Sequence, residues 1–381
     1  FDQVNNDDVA MVGGKNASLG EMYRTLTGKG IRVPNGFVVT AYAYRYFIEK
    51  AGLIDFIKGE LEGLDTHDIK DLQKSGKAVR EAIIKADIPE EIQREITEAY
   101  NNLSSAYGDE ATDTAVRSSA TAEDLPGASF AGEHETYLNI VGDKKVFEAV
   151  KMAMASLWND RAISYRVDKG FNHFDVALSV GVQKMVRSDK GASGVMFTID
   201  TESGFRDVVE IDASWGLGEM VVQGKVTPDA YLIFKTTLNQ GFPAIIKKTI
   251  GSKENKMIYG VSKQNSIHTE LSRSTKEVDV SQKDRNIFVL NDEEILTLSR
   301  WALEIERHYT ERAGKPTPMD MEWAKDGITN ELFIVQARPE TVQSEKKHNT
   351  ITEYKLQTPN EKPLTVGIAV GTKIASGKVR I

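Results

Sequence analysis

Asp320, Glu322, Gln336 and Arg338 recur at even spacing on two neighbouring segments, MDMEWA (319–324) and ELFIVQARP (331–339), which read as strands around a DGITN turn. Side chains alternate across a strand, so Asp320 and Glu322 share a face of the first strand, and Gln336 and Arg338 share a face of the second. With the turn centred near Ile328, Asp320 falls opposite Gln336 and all four groups lie together. A slip of one residue would undo that. Paired carboxylates suit Mg²⁺, which prefers oxygen ligands and completes its shell with water and substrate phosphate. A planar guanidinium grips phosphate oxygens in pairs. A solvated sheet face laced with cross-strand ion pairs would carry the same residues, and the hairpin alone leaves both readings open.

Further candidates are scattered along the chain. Arg117 closes the short strand DTAVRS (113–118) ahead of Ser119, Ala120 and Thr121, where free backbone N–H groups beside a guanidinium suit an anion. A surface arginine capping a loop is the plainer alternative. In LPGASFAG (125–132), Gly127 and Gly132 permit close backbone approach to a ligand, as a lid over phosphates would need and as an ordinary turn also would. Lys15, in Gly13-Gly14-Lys15-Asn16, is placed to neutralise a phosphate, but the Walker A spacing is absent. No G-x-G-x-x-G follows a strand, and WGLGE (215–219) has the wrong spacing, so a nucleotide would be held without either common glycine fingerprint. Glu219 is a further candidate acid or a surface carboxylate, and Gln183 in VGVQKMV is by periodicity a polar strand residue. None of the six histidines forms an i, i+4 metal pair or sits in a triad-like context.

The elements that must position these groups are mixed. Residues 41–60, the stretch after Pro89, 146–166 and 291–309 carry apolar residues at helical spacing, the last opening on an Asn291/Glu294 capping box. Residues 33–40, 113–118 and 207–212 read as short strands, 176–186 and 193–200 as a strand pair joined by RSDKGA, and 247–286 as polar loops and edge strands. An α+β chain in at least two lobes is predicted, with a polar linker over 343–363 and a new β-rich unit from 364 to 381. Phe1 in place of an initiator Met and an unfinished-looking strand at Gly377–Ile381 lead to the expectation of a piece of a longer protein. A net charge of -8 and a pI near 5.5 argue against nucleic acid or an anionic membrane as partner, and no apolar run is long enough for a membrane helix. The absence of cysteine excludes disulfides and thiol chemistry and makes the cytoplasm the expected compartment.

Taken together, VGGKNASLGEM, RVPNGFVVTAYAYRYF, AVRSSATAEDLPGASFAGEHETYLNI, LWNDRAISYRVDKGF, SGVMFTIDTESGF, WGLGEMVVQGKVTPD, PMDMEWAKDG and LFIVQARPETV resemble the phosphoenolpyruvate synthase family in order, over residues 9 to about 343. The broader group includes pyruvate phosphate dikinases and rifamycin phosphotransferases. The resemblance implies an ATP-grasp fold over 1–342, with lobes of about 1–205 and 206–342, followed by the truncated start of a swivelling phosphohistidine domain. It implies ATP and Mg²⁺ as cofactors. Lys15 and Arg117 would contact phosphates, Gly132 and Thr136 would belong to the lid region, and Gln183 would contact adenine. Glu322, with Asp320, would hold Mg²⁺, and Gln336 and Arg338 would complete the phosphate and metal end. In the family a histidine on the next domain carries the phosphoryl group to a pyruvate-binding barrel, giving AMP, phosphate and phosphoenolpyruvate. No matching histidine motif occurs here, since His348 lies in Lys347-His348-Asn349. A homodimer through the missing C-terminal part is a further expectation. One departure is Glu133-His134, where relatives commonly carry two glutamines.

Overall fold

Alternating burial along the strands resolves into two antiparallel sheets with separate cores. The computed structural model describes residues 1–121, 135–260, 274–341 and 343–344. Gly127, Gly132, Glu133 and His134, most of the expected linker, and 364–381 lie outside the described residues. The first sheet holds β1 (Gly36–Val39), β2 (Asp113–Ala120), β3 (Thr136–Val141) and β4 (Leu178–Lys184), in the order β1-β4-β2-β3. The second begins with β5 (Ala192–Phe197), β6 (Val208–Trp215), β7 (Asp229–Phe234) and β8 (Ile245–Thr249). A separate hairpin, β9 (Asn255–Tyr259) with β10 (Thr275–Asp279), follows. The closing pair β11 (Met319–Lys325) and β12 (Leu332–Pro339) returns to the second sheet, whose order is β12-β11-β5-β6-β7-β8.

The helices are α1 (Val9–Leu26), α2 (Ala41–Lys50), α3 (Leu53–Leu61), α4 (Ile69–Lys85), α5 (Glu90–Ala106), α6 (Asp143–Ala155) and α7 (Asp160–Asp168). Three short turns of helix follow, α8 (Glu219–Val222), α9 (Lys235–Asn239) and α10 (Gln282–Arg285), and then the long α11 (Asp292–Ala313). The helix expected over 41–60 is broken at Gly52, whose φ of 65° a helix interior cannot hold. The stretch 146–166 divides likewise, at a 3-10 turn over Ser156–Trp158. The Asn291/Glu294 capping box forms as the sequence requires, each side chain bonding the other's backbone N–H.

One core packs α2, α4, α5 and α6 on the first sheet through Phe47, Val79, Ile83, Ile96, Val116, Val150, Trp158 and Val180. The other packs α11 on the second sheet through Leu298, Trp301, Ile305, Met196, Ile211, Met321 and Trp323. Leu19, Met22 and Leu26 of α1 belong to this second core, although α1 heads the chain. The change of sheet falls between Lys184 and Ala192, ahead of the 205/206 division expected from sequence.

The strand pair expected at 176–186 and 193–200 does not form. β4 is hydrogen-bonded to β1 and β2, and β5 to β6 and β11. Each is an interior strand that already uses both edges, so the RSDKGA segment is a crossover between sheets and not a hairpin turn.

Candidate functional site

Both sheets turn one face toward a cleft of about 570 Å³, and the groups that line it come from widely separated stretches of chain. On β11, Met319, Met321 and Trp323 point into the core, which sends Asp320 and Glu322 to the opposite face. The pairing with β12 differs from the sequence expectation: Asp320 lies opposite Arg338, not Gln336, and Glu322 opposite Gln336. The physical reason is a β-bulge. From the turn, Lys325 pairs with Leu332 and Trp323 with Ile334, a register that would set Glu322 opposite Val335 and Asp320 opposite Ala337. The extra residue Val335 shifts the strand by one and returns Gln336 and Arg338 to the carboxylates' face. Burial on β12 changes phase at the same point, from Leu332 and Ile334 to Ala337. The expected juxtaposition therefore stands in a different register.

Arg117 reaches this hairpin from β2 of the other sheet. Its Nη2 donates to Glu322 Oε2 at 3.3 Å and its Nη1 to the carbonyl of Val335, the bulged residue, at 3.4 Å. Its Nε is buried with no hydrogen-bond partner among the described residues. A buried donor left unmade costs on the order of 1–3 kcal/mol, and an anion in the cleft would remove that cost. Arg338 donates from Nε to Asp320 Oδ2 at 2.8 Å, with Nη2 also 2.8 Å away. Burial raises the Asp320 carboxyl above the usual range, and Arg338 opposes the rise.

Lys15 enters from α1. The helix bends at Gly13, with φ 72° and ψ 164°, where an added Cβ would come within 2.3 Å of Ser119 Oγ. Only glycine lets α1 lie this close to β2, and the next turn brings Lys15 N to Ser119 Oγ at 3.2 Å. Asn16 Nδ2 donates to Ser179 Oγ at 3.0 Å, securing the same approach on β4.

Lys15, Arg117, Thr136, Gln183, Glu322, Gln336 and Arg338 all line the cleft, as does Glu219. Asp320 is not part of the lining and bears on it through Arg338. Glu219 has its pKa raised, first by burial; Arg117 pulls it down and Glu322 pushes it up, so its carboxylate belongs to the same charged end.

The other end is apolar. Ala115, Leu138, Met185, Val186 and Leu217 form its wall, with Lys184 and Ser188 beside them. Gln183 stands here, 3% exposed, its Nε2 donating to the Pro34 carbonyl at 3.2 Å. Sequence reasoning missed this wall, because an apolar residue facing a cleft looks like one facing a core. It also missed Asp212. Register pairs Glu322 with Val195 and Val195 with Asp212, so Asp212 shares the carboxylates' face two strands away. Burial, with Glu210 adding to it, pushes Asp212 up to about 7.

Among the described residues no group of three or more His, Asp or Glu is arranged to hold a metal ion. The oxygens of Glu322 and Gln336, side by side on the cleft wall, are hard donors that fit a Mg²⁺ completing its shell from phosphate and water. No described helix is long and apolar enough to cross a membrane.

Comparison with known proteins gives a consistent picture. A family profile described as "Pyruvate phosphate dikinase, AMP/ATP-binding domain" matches residues 9–358. The chain is 55% identical over its full length to a phosphoenolpyruvate synthase of Aquifex aeolicus (strain VF5), covering 44% of that protein. It is 52% identical to one of Synechocystis sp. and 49% identical to one of Escherichia coli (strain K12), again over its full length and covering 46% of each. The chain thus spans under half the length of these curated relatives.

Proposed function

The chain belongs to the family of pyruvate phosphate dikinase AMP/ATP-binding domains, and from that premise we propose that it is the ATP-binding, phosphoryl-donating half of a phosphoenolpyruvate synthase. Residues 1–342 are its ATP-grasp domain, 343–363 a linker, and 364–381 the start of a swivelling phosphohistidine domain. The full-length reaction converts ATP, pyruvate and water to AMP, phosphoenolpyruvate and phosphate, in the cytoplasm, through a histidine that lies outside this chain. The one observation that carries the reading is convergence: Lys15, Arg117, Glu322, Gln336 and Arg338 come from α1, β2, β11 and β12 and meet on one cleft. That arrangement is costly as mere surface and useful against a polyphosphate.

In this reading the work of the half is positioning and charge neutralisation. Lys15, Arg117 and Arg338 bind phosphate oxygens, and Arg117's buried Nε gains a partner when they do. Glu322 and Gln336, with Asp320 behind them, would hold Mg²⁺, which when bound neutralises phosphate charge. Asp320 fixes the Arg338 fork through Nε and Nη2. Thr136 stands at the start of β3 beside the same cleft, and Gln183 with the apolar wall takes the adenine.

The test uses the full-length protein. Pyruvate should drive formation of AMP and phosphate in equal amounts, with phosphoenolpyruvate as the third product. Transfer to a rifamycin in place of pyruvate, or ADP as the nucleotide product, would contradict the proposal. The 381-residue chain alone should bind Mg-ATP and release no AMP on addition of pyruvate.

A further inference from the structure

The crossover between the sheets is held by a set of polar groups that the nucleotide reading does not use. We propose that Tyr259 and Asp113 are positioning residues for the nucleotide base: their hydrogen bond latches the β9–β10 hairpin onto β2 and fixes the wall made by Lys184, Met185 and Val186. This rests on the reading that the cleft holds a nucleotide with its base at the apolar end.

The hairpin is tied to the two sheets unequally. On the second sheet it is anchored deeply. Lys253, just before β9, is ion-paired with Asp229 at the head of β7, and both side chains are fully buried. Asp229 also accepts from Gly251 N and Val289 N, each at 2.8 Å. Removing one partner of such a pair would strand a buried charge, so this anchor does not let go easily. Leu217 N donates to the Met257 carbonyl at 2.9 Å, and a Cβ on Gly216 would approach that same oxygen to 2.5 Å.

On the first sheet, among the described residues, the hold is made by surface-side polar groups and not by a fully buried ion pair. Tyr259 Oη donates to Asp113 Oδ2 at 2.5 Å, and Asn139 Nδ2 donates to the Ser274 carbonyl at 2.9 Å. Burial, with the charge and hydrogen bond of Asp113, pushes the Tyr259 phenol far up, so it remains a donor. The other oxygen of Asp113 takes the Lys184 ammonium, and the Asp113 carbonyl takes Met185 N at 3.0 Å. Arg187 lies 4.5 Å over the Tyr259 ring and grips Asp189 from Nε and Nη2 at 2.8 and 3.0 Å. Asp113 is therefore the hub through which the hairpin reaches the crossover.

Behind the latch the packing is continuous with the cleft. Met257 is buried with Ala115, Met185, Leu217 and Met220, and Leu138 and Tyr259 pack against them. Four of these, Ala115, Leu138, Met185 and Leu217, line the cleft. The hairpin backs the wall that a flat base would stack on, and the latch sets how firmly it does so.

Tyr259→Phe removes one hydroxyl and keeps the ring under Arg187. Calorimetric titration of the chain with Mg-ATP and with Mg-tripolyphosphate, which has no base, separates positioning from general damage. The Kd for ATP should rise about 5- to 10-fold, the scale of the net contribution of one ordinary hydrogen bond, while tripolyphosphate binds as before. Asp113→Asn, which weakens the hold on Lys184 while leaving Tyr259 an acceptor, should show the same selective loss. Equal ATP affinity in Tyr259→Phe and parent would overturn the proposal, as would equal weakening of both ligands. A parent chain that binds neither ligand would overturn the nucleotide reading itself, an outcome distinct from either.

Discussion

The two ends of the cleft are built on different principles. The charged end is assembled from side chains that the surrounding strands hold in register, and its two arginines are each paired with a carboxylate: Arg117 with Glu322, Arg338 with Asp320. The apolar end is assembled from a crossover, Lys184 to Ser188, pressed between two sheets by a hairpin. A misplaced charge is costly in a half-buried setting, so the first end depends on register to the residue. Apolar contact is tolerant of small displacements, so the second depends on backing and not on register.

That contrast can be broken at its sharpest point by deleting Ala337, which moves Arg338 opposite the core-facing Met321. Burying an unpaired guanidinium costs about 3–5 kcal/mol. A large fall in Tm together with loss of nucleotide binding is expected, whereas deleting Val335, the extra residue of the bulge, keeps Gln336 opposite Glu322 and Arg338 opposite Asp320 and should retain both. Equal behaviour of the two variants in thermal melts would show that register does not set the site.

Arg338→Ala comes next. In the full-length protein it should lower kcat/KM by roughly 2–4 kcal/mol of transition-state stabilisation, as for other pre-organised donors. Steady-state kinetics that moved only KM for ATP would place Arg338 in ground-state binding instead.

At the apolar end the effect should be smaller and of another kind. Leu138→Ala should weaken ATP by about 1–3 kcal/mol, the range for lost apolar contact in a pocket, with tripolyphosphate binding unchanged. A comparable loss for tripolyphosphate would erase the distinction between the ends.

The smallest effect concerns Asp212, whose folded-state pKa of about 7 lies above the ordinary carboxylate range. Folded protein then holds a proton that unfolded chain has released, so stability falls as pH rises from about 4 to about 7 and stays lower beyond. Asp212→Asn should raise stability by on the order of 1 kcal/mol at about pH 8 and change little near pH 4. Thermal melts across that interval showing a gain at acid pH, or none at alkaline pH, would contradict the assignment.

The same contrast explains what could be read from the sequence. Asp320, Glu322, Gln336 and Arg338 stood out because alternation puts charge on one face of a strand, and the structure brings them together. The register could not be read, since a bulge at Val335 leaves no mark in a run of apolar and polar residues that alternates on either side of it. The four stretches with helical spacing are helical in the structure but divide at Gly52 and at Ser156–Trp158, where a break in the helix costs little and apolar spacing continues across it. The crossover between β4 and β5 reads as a hairpin in the sequence because Gly191 and the polar residues before it satisfy turn chemistry locally. Only the neighbouring strands, more than a hundred residues away on one side, decide otherwise. Glu219 was visible as an acid but not as a cleft residue, and Asp212 looked like any polar position on a short strand.

One titration tests the Mg-ATP site most directly. Calorimetry of Mg-ATP into the 381-residue chain should give binding at a single site that disappears when Mg²⁺ is chelated and weakens markedly in Glu322→Gln. Absence of binding, or binding indifferent both to Mg²⁺ and to Glu322→Gln, would contradict it.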